Sequence, residues 1–340
     1  MTDKHLNRYS RQILFAGIGE KGQQKLLDSR AVIVGAGALG SFHAVALAQA
    51  GVGEIVIVDR DYVESSNLQR QWLFEESDAK QLLPKAVAAR NRLANINSSI
   101  SVKAVIADLS PENAEGLLLP SDVILDGCDN FETRYLINDV AIKNNIPWVY
   151  GAAVGSYGLT MPILPGTSAC LACIFPQPPS GTQPTCDTSG IVNAASSAIA
   201  SLQVADALKI LVGCFESVEP RLLTLDVWSN SIRTVSVAQR DDVCPVCFSK
   251  NFKYLGRKNR PAATLCGRNA VQINYRGRPL DLSELRRSLE PLGEVRSNDY
   301  AVCFRCAPHE MTIFNDGRAI VKGTDDIALA RSLYARYVGV

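Results

Sequence analysis

The sequence predicts an α/β protein: a doubly wound, mostly parallel sheet with an antiparallel extension, followed by a small C-terminal α+β domain. Three observations support this. Short apolar runs stop abruptly at Gly or Asp, as in residues 31–34 and 54–58; these runs alternate with helical segments; and the texture changes toward antiparallel strands beyond residue 156. A chain of 340 residues accommodates a large domain and a small one, and 47% apolar with 20% charged residues is ordinary for a globular protein.

Residues 7–29 read as a polar lead-in with helical character. Ala31-Val32-Ile33-Val34 has the look of a buried parallel strand and ends at Gly35. Residues 41–49 are Ala-rich and helical up to Gly51, and residues 54–58 form a second buried strand ending at Asp59, which completes a β-α-β unit. The alternation continues with a helix at 85–95, strands at 101–106 and 122–126, a helix at 130–144 and a strand at 147–151. Residues 156–165 read as antiparallel, 176–190 as a loop rich in Pro, Gly, Ser and Thr, and 194–212 as a long helix of small residues. A strand pair follows over 222–237, turning at Ser229-Asn230.

The boundaries expected are a first domain over 1–249, a basic, polar linker over 250–261 and a second domain over 262–340. In that second domain the pattern predicts a strand at 271–275, a helix at 282–289 and a strand at 300–305. A hairpin of 311–314 with 319–321 turns at Asn315-Asp316-Gly317, and 325–337 is an amphipathic helix.

A net charge of +1 gives no support to a nucleic-acid surface. No uninterrupted apolar run reaches the roughly 18 residues of a membrane span, and Met1-Thr2-Asp3-Lys4-His5 lacks the apolar core of a signal peptide. The expected location is therefore cytoplasmic. Ten cysteines in such a chain point to metal or thiol chemistry rather than disulfides.

Gly35-x-Gly37-x-x-Gly40 follows a strand and opens a helix, where glycines let phosphates approach backbone N–H groups at a helix N-terminus. Asp59, 19 residues after Gly40, is placed to accept hydrogen bonds from ribose hydroxyls. A ligand-free tight turn is the bland alternative, and the complete β-α-β context argues against it. Taken alone, these features suggest NAD. A dinucleotide, however, already has its pyrophosphate on the glycine turn. Asp61, Asn67, Gln69, Arg70 and Lys85 gather in and after the loop of the second strand, and the added cations suit a triphosphate. Asp129, after another strand end, could hold Mg²⁺ bridging phosphates. Singly, Arg70 and Lys85 would be read as solvated charges; together they fall at strand C-terminal ends, where open α/β sheets bind ligands.

Several motifs occur in order: Arg8-Tyr9-Ser10-Arg11-Gln12, Gly35-Ala-Gly-Ala-Leu-Gly40, Val58-Asp59-x-Asp61-x-Val63, Asn67-Leu-Gln-Arg70-Gln, Lys85, and Asp126-Gly-Cys-Asp129-Asn130-Phe-x-Thr133-Arg134. Over residues 5–250 the chain thereby resembles the ubiquitin-activating (E1-like) superfamily, in its MoeB/ThiF branch of bacterial adenylyltransferases. The resemblance implies a Rossmann-like domain in which Gly37, Asp59 and Lys85 hold ATP, with Gly35, Gly40, Asp61 and Asn130 lining the same site. It also implies that Asn67 and Arg70 contact phosphates, that Asp129 serves Mg²⁺, and that Arg11 reaches into a partner's site, making the protein a homodimer.

Cys170/Cys173 and Cys244/Cys247 supply four thiolates, enough for a closed tetrahedral zinc site of structural role clasping two segments 71 residues apart. The third pair, Cys303/Cys306, falls on opposite phases of a strand and reads as packing. Cys128 and Cys214 read as core residues and Cys266 as linker edge. Cys186, just before a helix in a loop, is a candidate nucleophile. By resemblance it lies on the crossover loop, where thiamin-type members carry a cysteine able to bond covalently to the carrier or its sulfur, although Asp-Thr-Ser here replaces a more usual Ala/Glu run.

The expected reaction is attack of a carboxylate on the α-phosphate of ATP. By resemblance, that carboxylate is the C-terminal glycine of a ubiquitin-like sulfur carrier ending in Gly-Gly, with sulfur arriving through Cys186 or from a separate sulfurtransferase. Three readings compete with it: activation of another peptide or amino-acid carboxylate, an NAD-dependent oxidoreductase that would leave Arg70, Lys85 and Asp129 without purpose, and a non-catalytic scaffold.

Overall fold

In the computed structural model, residues 7–178, 185–237, 242–257, 263–265, 269–274 and 279–339 are described. The chain divides into two compact units, Met1–Glu76 with Pro84–Arg257, and Ser77–Leu83 with Lys258–Val340.

The first unit opens with α1 (Ser10–Ile13) and α2 (Gly19–Asp28), which lead into β1 (Arg30–Val34). Next come α3 (Ala38–Ala50), β2 (Glu54–Asp59), α4 (Lys85–Ile96), β3 (Ser101–Ile106), α5 (Ala114–Leu118), β4 (Val123–Asp126) and α6 (Phe131–Asn144). The remainder is β5 (Trp148–Val154), β6 (Tyr157–Ile163), α7 (Leu171–Ile174), α8 (Cys186–Ser189), α9 (Asn193–Val212), β7 (Arg221–Asp226) and β8 (Ser231–Ser236).

The strands form one sheet in the order β3-β2-β1-β4-β5-β6-β7-β8. The pairs from β3 through β5 are parallel, and those from β5 through β8 antiparallel. From β1 the chain winds outward to β2 and β3, then returns to place β4 on the other side of β1. That reversal opens a crevice at the C-terminal ends of β1 and β4. β1, β2 and β4 are buried on both faces, which is why they read as unbroken apolar runs.

Local chemistry sets the helix limits. Asn130 caps α6 by accepting from the Thr133 N–H, and left-handed residues close three helices: Asn145 after α6, Gly51 after α3 and Gly213 after α9. β5 runs to Val154, three residues beyond the expected strand, because Gly155 at φ +60° turns the chain and pairs Val154 with Tyr157. Among the described residues, α9 is the one helix long and apolar enough to cross a membrane, at 20 residues and a mean hydropathy of 1.4. It packs instead as a core helix against α3, β5 and β6, with 61% of its apolar window buried.

Residues 250–257 differ from the tether expected there. Tyr254 stacks on Tyr135 at 4.7 Å, and the Tyr254 and Leu255 N–H groups donate to Asp139 Oδ2 at 2.8 and 3.1 Å. Arg257 reaches Glu132 at 3.2 Å. Lys, Arg and Asn around this segment mask its two docking residues in composition; residues 258–261 lie outside those described.

The second unit contains β9 (Ala263–Leu265), β10 (Ala270–Ile273), α10 (Leu282–Leu289), β11 (Glu294–Ser297), β12 (Ala301–Cys306), β13 (His309–Phe314), β14 (Ala319–Lys322) and α11 (Ile327–Val338). Its antiparallel sheet has the order β11-β12-β13-β14-β10-β9. Leu285, Leu289, Ala330 and Tyr334 from the helices pack on Val302, Phe304, Met311, Ile313 and Val321. Asp281 and Asp326 cap the two helices with their carboxylates. The short strands β9 and β11 escaped the sequence pattern. Cys306 packs with the helix-covered core, whereas Cys303 is not among that cluster and is paired with Arg296 across the strands, consistent with opposite phases. Cys266 lies outside the described residues.

Burial pushes the Asp139 carboxyl up to about 6, against the lowering effect of the two amides and Arg257. A folded value above the ordinary carboxylate range of roughly 4 means the native state holds the extra proton between those pH values, so this group's stabilising contribution falls as pH rises through about 6. Thermal unfolding of Asp139→Asn and the parent, compared from pH 5 to 7, should show the parent losing ground to the variant across that interval.

Candidate active site

The site is built from three loops at the C-terminal ends of β1, β2 and β4. At the end of β1, Gly35 adopts φ +90° and its N–H donates to the Val58 carbonyl at 2.8 Å. A methyl at Gly35 would stand 2.5 Å from the Gly127 carbonyl oxygen, and one at Gly40 or Gly127 would collide with the Gly35 carbonyl. The glycine turn and the β4 loop therefore touch backbone to backbone. Gly37, at the N-cap of α3, has more room: a methyl there would meet only the Gly127 oxygen, at 3.8 Å.

Asp59 braces these loops. One carboxylate oxygen accepts from the Ala36 N–H at 2.6 Å, and the other from the Asp61 N–H at 2.7 Å. Each oxygen keeps a lone pair for a further donor. Burial pushes the Asp59 carboxyl upward, opposed chiefly by the Lys85 charge. Lys85 is the first residue of α4, its N–H bonded to the Asp61 carbonyl at 2.9 Å and its Nζ 3.4 Å from Asp61 Oδ2. A buried ammonium on the first turn of a helix opposes the helix dipole; Asp59 and Asp61 offset that cost.

Asn67 is buried, its Oδ1 accepting from the Glu64 N–H at 3.1 Å to shape the turn after β2. Arg70 folds back to the Ser66 carbonyl at 2.8 Å. Asp129 is exposed on the β4 loop and accepts from Asn130 Nδ2 at 3.2 Å. Arg11 is exposed on α1. The structure thus brings together Gly35, Gly37, Gly40, Asp59, Asp61 and Lys85, with the Asp129 loop pressed against their glycine turn.

A buried polar network behind this crevice has no single-residue signal in the sequence. Arg134 Nε pairs with Asp126 Oδ2 at 3.0 Å, and its Nη2 donates to the carbonyls of Cys128 at 2.7 Å and Gly151 at 3.1 Å. Gln203 Nε2 donates to the Asp126 and Val149 carbonyls, each at 3.0 Å, and its Oε1 lies 2.9 Å from His43 Nε2. Burial pushes His43 down to about 4, so this imidazole is neutral at pH 7. Asp126 and Arg134 belonged to a recognisable motif. Gln203, 77 positions away, could be found only once α9 was packed on the sheet.

Cys170, Cys173, Cys244 and Cys247 bring their sulfurs within 4.8 Å of one another, with neighbouring pairs at 3.4 to 3.7 Å. This is far beyond a disulfide bond, and close to the ~3.8 Å edge of a tetrahedron with Zn–S bonds of about 2.3 Å. Without a cation, burial and crowding push the Cys247 thiol up to about 12. A divalent metal reverses that preference, so the donor set fits zinc.

Cys186 begins α8, half-buried, with Sγ 3.7 Å from the Ala153 carbonyl at the far end of β5. Cys128 packs at the core with its thiol on the Val34 carbonyl, and Cys214 sets its thiol 3.8 Å from the Gly17 carbonyl.

The profile of the ThiF family matches residues 9–246. A Bacillus subtilis protein named sulfur carrier protein ThiS adenylyltransferase is 48% identical over 336 residues, covering 98% of this chain and 99% of its own. A Haloferax volcanii protein named SAMP-activating enzyme E1 is 40% identical over 243 residues, covering 71% of this chain and 88% of its own. A crystal structure of Escherichia coli MccB with ATP is 25% identical with a TM-score of 0.61, covering 73% of this chain and 76% of that one.

The glycine contacts separate two kinds of damage. Gly127→Ala sets a methyl against immobile backbone and should lower stability by about 1–3 kcal/mol as well as nucleotide affinity. Gly37→Ala should unfold at the parent temperature yet lose nucleotide affinity. Thermal unfolding with and without ATP measures both.

Proposed function

The chain belongs to the ThiF family, and on that premise we propose that it is an adenylyltransferase that uses ATP to activate the C-terminal glycine of a ubiquitin-like sulfur carrier. The observation that carries this reading is the convergence of three strand-end loops, with the Gly127 backbone against the glycine turn and Lys85 buried on Asp61. Such a crevice offers backbone N–H groups, one ammonium and two carboxylates to a nucleotide.

In this reading the phosphates lie on the Gly35–Gly40 turn at the start of α3, and Asp59 accepts from the ribose hydroxyls. Lys85, Arg70 and Asn67 face the phosphate chain, joined by Arg11 of the partner subunit in a homodimer. The carrier's carboxylate oxygen attacks the α-phosphorus as the bond to the β-phosphate breaks; acyl-adenylate forms and pyrophosphate departs. Positive side chains stabilise the charge that develops on the phosphate oxygens. A general base is unnecessary because the attacking carboxylate is already ionised at neutral pH.

Asp129, a single exposed carboxylate beside the glycine turn, fits magnesium, which takes one or two carboxylates together with substrate phosphates and spreads their charge. Asn130 orients it. The four thiolates would hold structural zinc, tying α7 to residues 244–247. Cys186, at the start of α8, would act after adenylylation: its thiolate attacks the acyl-adenylate carbonyl, the acyl–phosphate bond breaks with departure of AMP, and a thioester to the carrier forms; a separate sulfurtransferase is the other source of sulfur.

Pyrophosphate exchange into ATP, dependent on a carrier ending in Gly-Gly, tests the assignment. Asp129→Ala should abolish exchange, and Cys186→Ala should leave it intact while stopping later sulfur transfer. Exchange in the absence of any carrier, or none with any carrier, would sink the reading. Elemental analysis should find one zinc per chain, lost in Cys247→Ser, with the unfolding temperature falling by roughly 5 °C or more.

A further inference from the structure

Arg134 takes no part in the chemistry above, yet it is buried and makes three directed bonds at the base of the crevice. We propose that Arg134 is a positioning residue that orients Asp129, and through it the divalent cation on the nucleotide; the proposal rests on the reading of Asp129 just given. Cys128, the residue before Asp129, is clamped on both sides. Its N–H donates to Asp126 Oδ1 at 2.8 Å, and its carbonyl accepts from Arg134 Nη2 at 2.7 Å.

That carbonyl belongs to the Cys128–Asp129 peptide, so fixing it fixes the plane holding the Asp129 nitrogen and Cα. On the other side Asn130 is fixed by capping α6, its Oδ1 2.9 Å from the Thr133 N–H. Asp129 is thus strung between two anchored neighbours. The anchor is carried by the sheet rather than by the loop. Arg134 also holds the Gly151 carbonyl on β5, and Gln203 holds the Asp126 and Val149 carbonyls from α9.

An ion pair that merely joined α6 to β4 would need only the contact between Arg134 and Asp126. The bonds to the Cys128 and Gly151 carbonyls are additional, and they use the planar fork of the guanidinium. A lysine keeps the charge opposite Asp126 but cannot direct bonds to all three acceptors.

The test is Arg134→Lys, read by Mn²⁺ binding to the ATP-loaded protein by electron paramagnetic resonance and by nucleotide binding without divalent metal. Mn²⁺ affinity should fall roughly 10–100-fold, as for other residues that orient a metal ligand, with metal-free nucleotide binding unchanged and only a lower unfolding temperature from the buried carbonyls that lose their donor. Unchanged Mn²⁺ affinity overturns the proposal. So does a joint loss of metal-free nucleotide binding, metal binding and stability, which marks a general structural role. If the lysine variant does not fold, the neutral pair Asp126→Asn with Arg134→Gln strands no buried charge and is held to the same outcomes. Asp129→Ala serves as the reference. If it also leaves Mn²⁺ affinity unchanged, the reading beneath falls; if it alone weakens Mn²⁺, only the role of Arg134 falls.

Discussion

Backbone contact between the glycine turn and the β4 loop is the constraint from which the rest of the crevice follows. Gly35, Gly40 and Gly127 lie so close that none can carry a side chain without meeting peptide atoms of another. Their approach brings the loop bearing Asp129 against the start of α3. It is possible because β4 lies directly beside β1 in the sheet, on the side opposite β2. Close packing of loops without side chains leaves peptide N–H groups as the lining, a surface suited to phosphate.

Around that contact, buried charges are arranged so that none stands alone. Lys85 sits on a helix N-terminus that disfavours it, held by Asp61 and facing Asp59. Asp126 and Arg134 are wholly enclosed, and the hydrogen bonds each makes to the backbone offset the cost of removing both from water. The polar chain continues through Gln203 to His43 on α3, the helix that the glycine turn opens. Each strand end of the crevice is thereby joined to a neighbour through bonds that leave little freedom for its backbone.

The cysteine clasp works at a different scale. It joins α7 to residues 244–247, segments distant in sequence, and its sulfurs pack into the same apolar cluster as Trp148, Tyr150 and Tyr135. Tyr135 carries the load on both sides: its hydroxyl donates to the Phe175 carbonyl just after α7, and its ring stacks under Tyr254. The chain leaving the clasp therefore lies along α6 before the second unit begins.

Much of this was legible in the residues themselves. Apolar runs ending at Gly or Asp disclosed β1, β2 and β4, because a parallel strand covered on both faces must be apolar throughout. Spacing disclosed the glycine turn and the two cysteine pairs, because Gly35 at φ +90° and Gly40 against the Gly35 carbonyl leave no room for side chains within the turn, and two thiols three residues apart can face one cation. The docking of residues 252–257, the extension of β5 to Val154, the second unit's claim on Ser77–Leu83 and the alliance of Asp126, Arg134, Gln203 and His43 were decided only by tertiary structure. Periodicity and spacing report what a residue asks of its near neighbours in the chain; a buried hydrogen bond depends on which distant carbonyl the packing of helices on a sheet happens to bring within 3 Å.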